Sequence, residues 1–402
     1  MTETLPADPF TATAAGARHA AYAELAAAGR VHRITLPTGA PAWLITGYDE
    51  ARRALTDPRL VRGGPLHGAL GDQLPPDVKA AIGNHLLNHN PPDHTRLRRL
   101  VGAAFTRRRV EQLAPRIQQI ADALLDALDG TVETDLIATF AYPLPMTVIC
   151  ELLGVPDGDR DDFRSWTTTA IAGPFAGTEA YVAAATTIVG YSRELLAGKR
   201  RSPTDDLLSA LVEVRDGGDR LSEDELIAMV FLLVAAGHET TVNLIGNGVH
   251  ALLTHPEQLA LLRAEPDRLP AVVEELLRFA GPLQVTMPLV TAEPVELGGV
   301  PIPAGETVFA GLLAANRDPA RVANPAELDI GRAEHSHLAF GHGIHHCLGA
   351  PLARLEGRIA LQTLLSRFPG LRLAVPPHEL TWQPSLLLHG LTTLPVMLAS
   401  KP

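Results

Sequence analysis

HSHLAFGHGIHHCLGAPLARLEG, residues 335–357, is the densest run of metal-ligand side chains in the chain, with five histidines and Cys347. Two cofactor readings compete for it. One is a zinc or other transition-metal site built on the imidazoles of His335–His346; the other is a haem whose iron takes Cys347 as a thiolate ligand. His345, His346 and Cys347 are consecutive, which points neighbouring side chains apart, and no HExxH, CxxC or HxHxD element supplies further ligands. The glycines favour the haem. Gly341 and Gly343 let the backbone adopt positive φ and approach a flat cofactor, freeing amide hydrogens to bond a sulfur ligand, and Gly349 gives the same freedom after the thiol. Cys347 also lies just before a helix expected from Pro351, whose positive end lowers a thiol pKa toward thiolate. The bland alternative is a buried cysteine acting as a small hydrophobe.

Outward from this tract, Ala- and Leu-rich segments with helical spacing dominate: 18–28, 92–105, 109–128, 181–197, 222–253, 257–264, 269–280 and 351–368. Strand-like pieces are fewer: VHRITLP with PAWLITG near the start, VELGGVPIPAGETVFAGLL after residue 294, then LRLAV and TLPVML. The expected fold class is mainly α with a smaller β region (α+β). Neither a low-complexity linker nor a fixed-period repeat divides the chain, so residues 1–402 are expected to form a single domain. Ser222 and Glu225 read as a capping box opening a helix that continues unbroken until His255-Pro256. Its middle, AMVFLLVAAGHETTVNLIG, is apolar on nearly every face and therefore predicts burial.

The chain has 402 residues, 46% apolar and 20% charged, enough to bury a large core. Two cysteines exclude a disulfide framework and point to a reducing compartment, so the cytoplasm is the expected location. Cys150, within TVICELLG, reads as core packing. A net charge of −11 argues against nucleic acid as a partner. The longest uninterrupted apolar run, Leu226–Ala236, falls short of the ~20 residues of a membrane helix, so no membrane anchor is expected.

Within FGHGIHHCLGA, Phe340, Gly343, Cys347 and Gly349 resemble the haem-binding loop of the cytochromes P450, and the resemblance extends over essentially the whole chain. It implies the P450 fold, with the long central helix over haem b, and Cys347 as the axial iron ligand. Phe340, Gly341, His345 and Gly349 then join the cofactor site. Ala236-Gly237-His238-Glu239-Thr240-Thr241 is similar to the family's oxygen-activation motif. A physical reading stands beside it: the Thr240 hydroxyl can bond the carbonyl four residues back, at Ala236, and with Gly237 this opens a groove in the helix. Thr240 and Glu239 then supply the hydroxyl and the ionisable group that proton delivery to reduced dioxygen requires.

Glu275 and Arg278 resemble the family's ExxR pair, sharing one helix face at i,i+3 among apolar neighbours, and Arg332 matches the third member of that structural network. His94 and Arg98, at i,i+4, project toward a common anion, for which the resemblance implies the haem propionates, with His345 adding a donor. Arg96, Arg99, Arg107, Arg108 and Arg109 are expected to form an exposed basic face suited to an acidic iron–sulfur partner. Leu289 stands where many soluble bacterial members carry a propionate-binding arginine.

The resemblance implies a haem-thiolate monooxygenase that uses O2 to hydroxylate or epoxidise a mostly apolar small molecule, of macrolide, other polyketide, terpenoid or steroid type. Its electrons would come from a ferredoxin and a ferredoxin reductase, since no dinucleotide fingerprint follows a strand and opens a helix. Other classes remain open: a zinc hydrolase on the histidine tract, or a haem carrier or sensor without catalysis. The expected substrate lining comes from 60–90, 166–181, Ala235, 285–287 and 386–388, with His85 and His89 as loop residues or substrate contacts.

Overall fold

Ser222 Oγ accepts the Glu225 N–H at 3.2 Å and the Glu225 carboxylate accepts the Ser222 N–H at 2.7 Å, so the capping box is formed. The helix that it opens runs Glu223–Gly237, and a second runs Glu239–Thr254. The single helix expected over 222–253 is thus interrupted at His238, whose φ and ψ are −87° and −71° although its N–H still bonds the Val234 carbonyl at 3.2 Å. Glycine is the costliest helix residue after proline, and Gly237 places that weak point one residue earlier. Taken together, the 32 residues from Glu223 to Thr254 are long and apolar enough to cross a membrane, which the length of the uninterrupted apolar run understates. More than half of the most apolar window is buried inside the protein, as a core helix is.

The computed structural model describes residues 8–63, 73–130, 132–172, 177–214 and 218–398. They fall into two compact units. One contains the residues up to Val61, then Ala114–Leu144 and everything from Thr240 onward; the other contains Arg62–Leu113 and Pro145–Glu239.

The first unit holds all the described strands. β1 (Val31–Thr35) and β2 (Pro41–Ile45), the strand-like pieces read from the sequence, pair as an antiparallel hairpin, and β3 (Leu60–Val61), β4 (Glu133–Asp135) and β5 (Leu289–Thr291) follow. β6 (Val295–Leu297) and β7 (Val300–Ile302) pair with each other, and β8 (Thr307–Ala310), β9 (Arg372–Leu373) and β10 (Pro395–Met397) complete the set. A five-stranded sheet has the order β1-β2-β8-β5-β3, with β2 and β8 parallel and the other pairs antiparallel. A second sheet is ordered β4-β10-β9. One face of the larger sheet buries Ile45, Leu60, Leu289, Val308 and Ala310 against Leu312 and Leu338.

Three helices of this unit pack closely because glycines remove side chains where they meet. A Cβ on Gly248 would lie 3.2 Å from Leu276 Cδ1, and one on Gly357 would lie 3.0 Å from Leu244 Cδ2 and 3.9 Å from Val273 Cγ1. The Glu239–Thr254, Leu269–Ala280 and Ala350–Arg367 helices thereby approach one another. The last two coincide with their expected spans to within a residue.

The second unit is helical throughout its regular elements, including Asp93–Ala104, Arg160–Ala172, Thr178–Arg201 and Glu223–Gly237. Trp166 and Phe231 pack on Ala170, Ala184 and Ile188. Cys150 is fully buried here, and burial pushes its thiol up to about 11, the behaviour of a packed hydrophobe.

Candidate active site

In the first unit, a loop leaves Phe340, passes a 3-10 turn at Gly343–His345 and brings Cys347 to the start of the Ala350–Arg367 helix. The Cys347 N–H closes the loop by donating to the Phe340 carbonyl at 2.9 Å. Gly341 and Gly343 have φ of +70° and +71°, and a Cβ on Gly343 would collide with the Leu55 carbonyl, so only glycine lets the loop lie there. Of the two cysteines, Cys150 is buried and Cys347 exposed. Ile344, three residues before Cys347, is also exposed, one of two large apolar side chains that are so among the described residues. An exposed sulfur at the positive end of an 18-residue helix is a donor that fits haem iron.

Two of the tract's five imidazoles are engaged by other side chains. His342 Nε2 accepts from Arg52 Nε at 3.2 Å. His337 Nδ1 accepts the Ala339 N–H at 3.2 Å, which leaves Nε2 to donate to Glu274 at 3.2 Å. Among the described residues, no three His, Cys, Asp or Glu side chains are grouped to hold a metal ion, so the tract assembles no zinc site there.

Sequence reasoning misses Glu274 and Arg354. Arg354 donates to Glu274 at 2.6 and 2.8 Å, and its guanidinium lies 4.4 Å over the Phe340 ring, pinning the start of the thiol loop to the Leu269–Ala280 helix. Burial pushes the Glu274 carboxyl up, but the bonds from Arg354 and His337 outweigh it and hold it at about 2. The available signal is the pair of adjacent acids in AVVEELLRFA, which point to different partners.

Glu275 is the second acid. Arg278 donates to its two oxygens at 2.7 Å each, with both side chains at most 1% exposed. The Asp329 N–H donates to Glu275 at 3.0 Å and Arg332 lies 3.3 Å away, while Arg278 also donates to the carbonyls of Asn316, Pro325 and Glu327. A buried ion pair survives only when its remaining donors and acceptors are bonded, as here. The three residues read from the sequence are therefore brought together.

Thr240, also in this unit, is half-buried. Leu289 is buried in the sheet core. Leu283 and Gln284 pair with Leu387 and Leu388, with Gln284 N–H donating to the Leu387 carbonyl at 2.8 Å, while Val285 pairs with Gly311. Val285 and Thr286 are buried, which leaves Met287 and Leu386–Leu388 to present surface.

In the second unit, Ala236 is exposed and Gly237 and Glu239 are half-buried. Burial pushes the Glu239 carboxyl up. The buried His238 imidazole between them is pushed down to about 4 by burial and by Arg164, so it is neutral at pH 7. His94 is buried and Arg98 half-buried on one face of the Asp93–Ala104 helix, and burial, Arg98 and Arg62 all push His94 down. His85 lies 3.2 Å from Asn88 Nδ2, and His89 bonds Asn84 at 2.7 Å. Parts of the expected substrate lining, 64–72 and 173–176, lie outside the described residues.

The basic face is smaller than expected. Arg99, Arg107 and Arg108 are exposed, but Arg96 turns to Glu225 and Asp219, and Arg109 to Asp205 at 3.2 Å.

Residues 185–389 match the Cytochrome P450 family model. The chain is 52% identical over 385 residues to Cytochrome P450 107B1 of Saccharopolyspora erythraea, covering 94% of each. It is 44% identical to the mycinamicin IV hydroxylase/epoxidase of Micromonospora griseorubida over 94% of each chain. The solved structure of tirandamycin C-bound P450 monooxygenase TamI aligns at a TM-score of 0.85 and 45% identity, covering 95% of this chain and 97% of that one. An exposed cysteine on a glycine loop, a buried Glu-Arg-Arg network and this likeness over nearly the full length agree: the chain belongs to the cytochrome P450 family, haem b monooxygenases whose iron is held by a cysteine thiolate.

Proposed function

We propose that this P450 hydroxylates or epoxidises a neutral, mostly apolar substrate of macrolide or related polyketide type. The carrying observation is the exposed Cys347 thiol, fixed at the end of its loop by the bond to Phe340. Haem held by Cys347 would supply the activation of O2. Phe340, Gly341 and Gly349 shape the loop that receives it, and His94, Arg98 and His345 bind its propionates. Glu275, Arg278 and Arg332 scaffold the loop from behind.

Thr240 and Glu239 deliver protons, with Ala236 and Gly237 giving dioxygen room on the helix. The raised Glu239 carboxyl supports this role, because an acid whose pKa rises toward the working pH is the better proton donor. Met287 and Leu386–Leu388 offer apolar surface to the substrate. The mycinamicin enzyme and the tirandamycin complex support the substrate class. A ferredoxin with its reductase supplies electrons in the cytoplasm, docking at Arg99, Arg107 and Arg108, and the chain works as one catalytic domain.

The test supplies ferredoxin, reductase, isotopically labelled O2 and a macrolide panel screened by substrate-induced shift of the haem spectrum. The expected product carries one labelled oxygen atom. Product oxygen drawn from water would contradict the proposal.

A further inference from the structure

Nothing in the sequence marks Arg62, which stands in the plain stretch LVRGG, more than 30 residues before His94 and Arg98. The structure ties it to them. Its backbone N–H donates to Asn90 Oδ1 at 2.8 Å and its carbonyl accepts from Asn90 Nδ2 at 3.0 Å. The Asn90 carbonyl in turn accepts the His94 N–H at 2.9 Å, in the first turn of the helix that carries His94 and Arg98. One asparagine thus sets the position of Arg62 against that turn.

We propose that Arg62 is a third donor, beside His94 and Arg98, that binds the carboxylates of the haem. The proposal rests on the haem-thiolate function proposed for the chain. A guanidinium stays charged and presents a planar fork of donors that matches a carboxylate two bonds at a time. Haem b carries two carboxylates, so two arginines and an imidazole are a chemically matched set. The charges of Arg62 and Arg98 both push the His94 pKa down, and burial pushes Arg62 itself down to about 10, in keeping with the place beside that turn that the Asn90 clamp gives Arg62. Leu289, where the family resemblance implied a cation, is a core leucine.

The holoprotein and the variants Arg62→Gln and Arg62→Lys are compared by the rate at which haem passes to excess apomyoglobin. Reduction potentials and reduced, CO-bound spectra are recorded on each. Removing one charge-assisted bond from Arg62 speeds haem loss roughly tenfold and shifts the potential negative. Lysine, a single point donor, gives a loss a few-fold faster than the parent. Haem loss from Arg62→Gln at the parent rate, with an unshifted potential, overturns the proposal. Should that variant fail to fold, Arg62→Lys decides: faster loss supports it and the parent rate overturns it. A parent without the thiolate-type CO spectrum would sink the haem-thiolate function and this proposal together, whereas a normal parent spectrum with unchanged haem loss sinks this proposal alone.

Discussion

Thr240 and Glu239 are neighbours in sequence with different demands on their surroundings. Burial pushes the Glu239 carboxyl up, and Thr240 is half-buried; in the proposed function the two deliver protons. Replacing Thr240 with Ala is expected to lower product per O2 consumed about tenfold while haem content is unchanged. Equal coupling in the variant would remove Thr240 from proton delivery. Because the Glu239 pKa is raised, coupling should fall as pH rises through it, and Glu239→Gln should lose that dependence. At this scale the sequence is legible wherever chemistry constrains near neighbours. Cys347 stands out because glycines and a helix start flank it, and Glu275 with Arg278 because three residues bring them onto one face. Glu274, His337 and Arg354 escape because their meeting spans 63 and 80 residues of chain, and Arg62 because only the Asn90 clamp places it.

Among the elements, helices with apolar residues at regular spacing are readable: Leu269–Ala280 has the expected span. Arg160–Ala172, RDDFRSWTTTAIA, does not read as a helix, since its three threonines favour helix poorly. Tertiary burial of Phe163, Thr167 and Ala170 supplies what propensity lacks. The break at His238 is likewise invisible to a hydrophobic pattern that continues through it. The Leu269–Ala280 helix has a measurable consequence through Glu274. Its carboxyl titrates near 4.5 when unfolded and at about 2 when folded, so its stabilisation is present above pH 4.5 and lost as pH falls toward 2. Glu274→Gln is expected to lower stability at pH 7 by on the order of 2 kcal/mol and to flatten the loss between pH 4.5 and 2. Denaturant titrations across that range check both. A variant as stable as the parent at pH 7 would remove the Arg354 clamp from any stabilising role.

Across the whole molecule, each of the two compact units is assembled from segments far apart in sequence, which is why neither composition nor a linker marks them. The net charge of −11 is likewise silent about where the cations go: Asn90 ties the Arg62 backbone to the helix that carries Arg98, while Arg96 and Arg109 are drawn into ion pairs. The proposed function rests on Cys347 as the iron ligand, and that identity is the central claim. The measurement that tests it most directly is the spectrum of the reduced, CO-bound protein beside that of Cys347→Ser. The parent is predicted to show the red-shifted Soret band of thiolate-ligated haem and the serine variant to lose it. A colourless parent, or a serine variant that keeps the band, would contradict the assignment of Cys347.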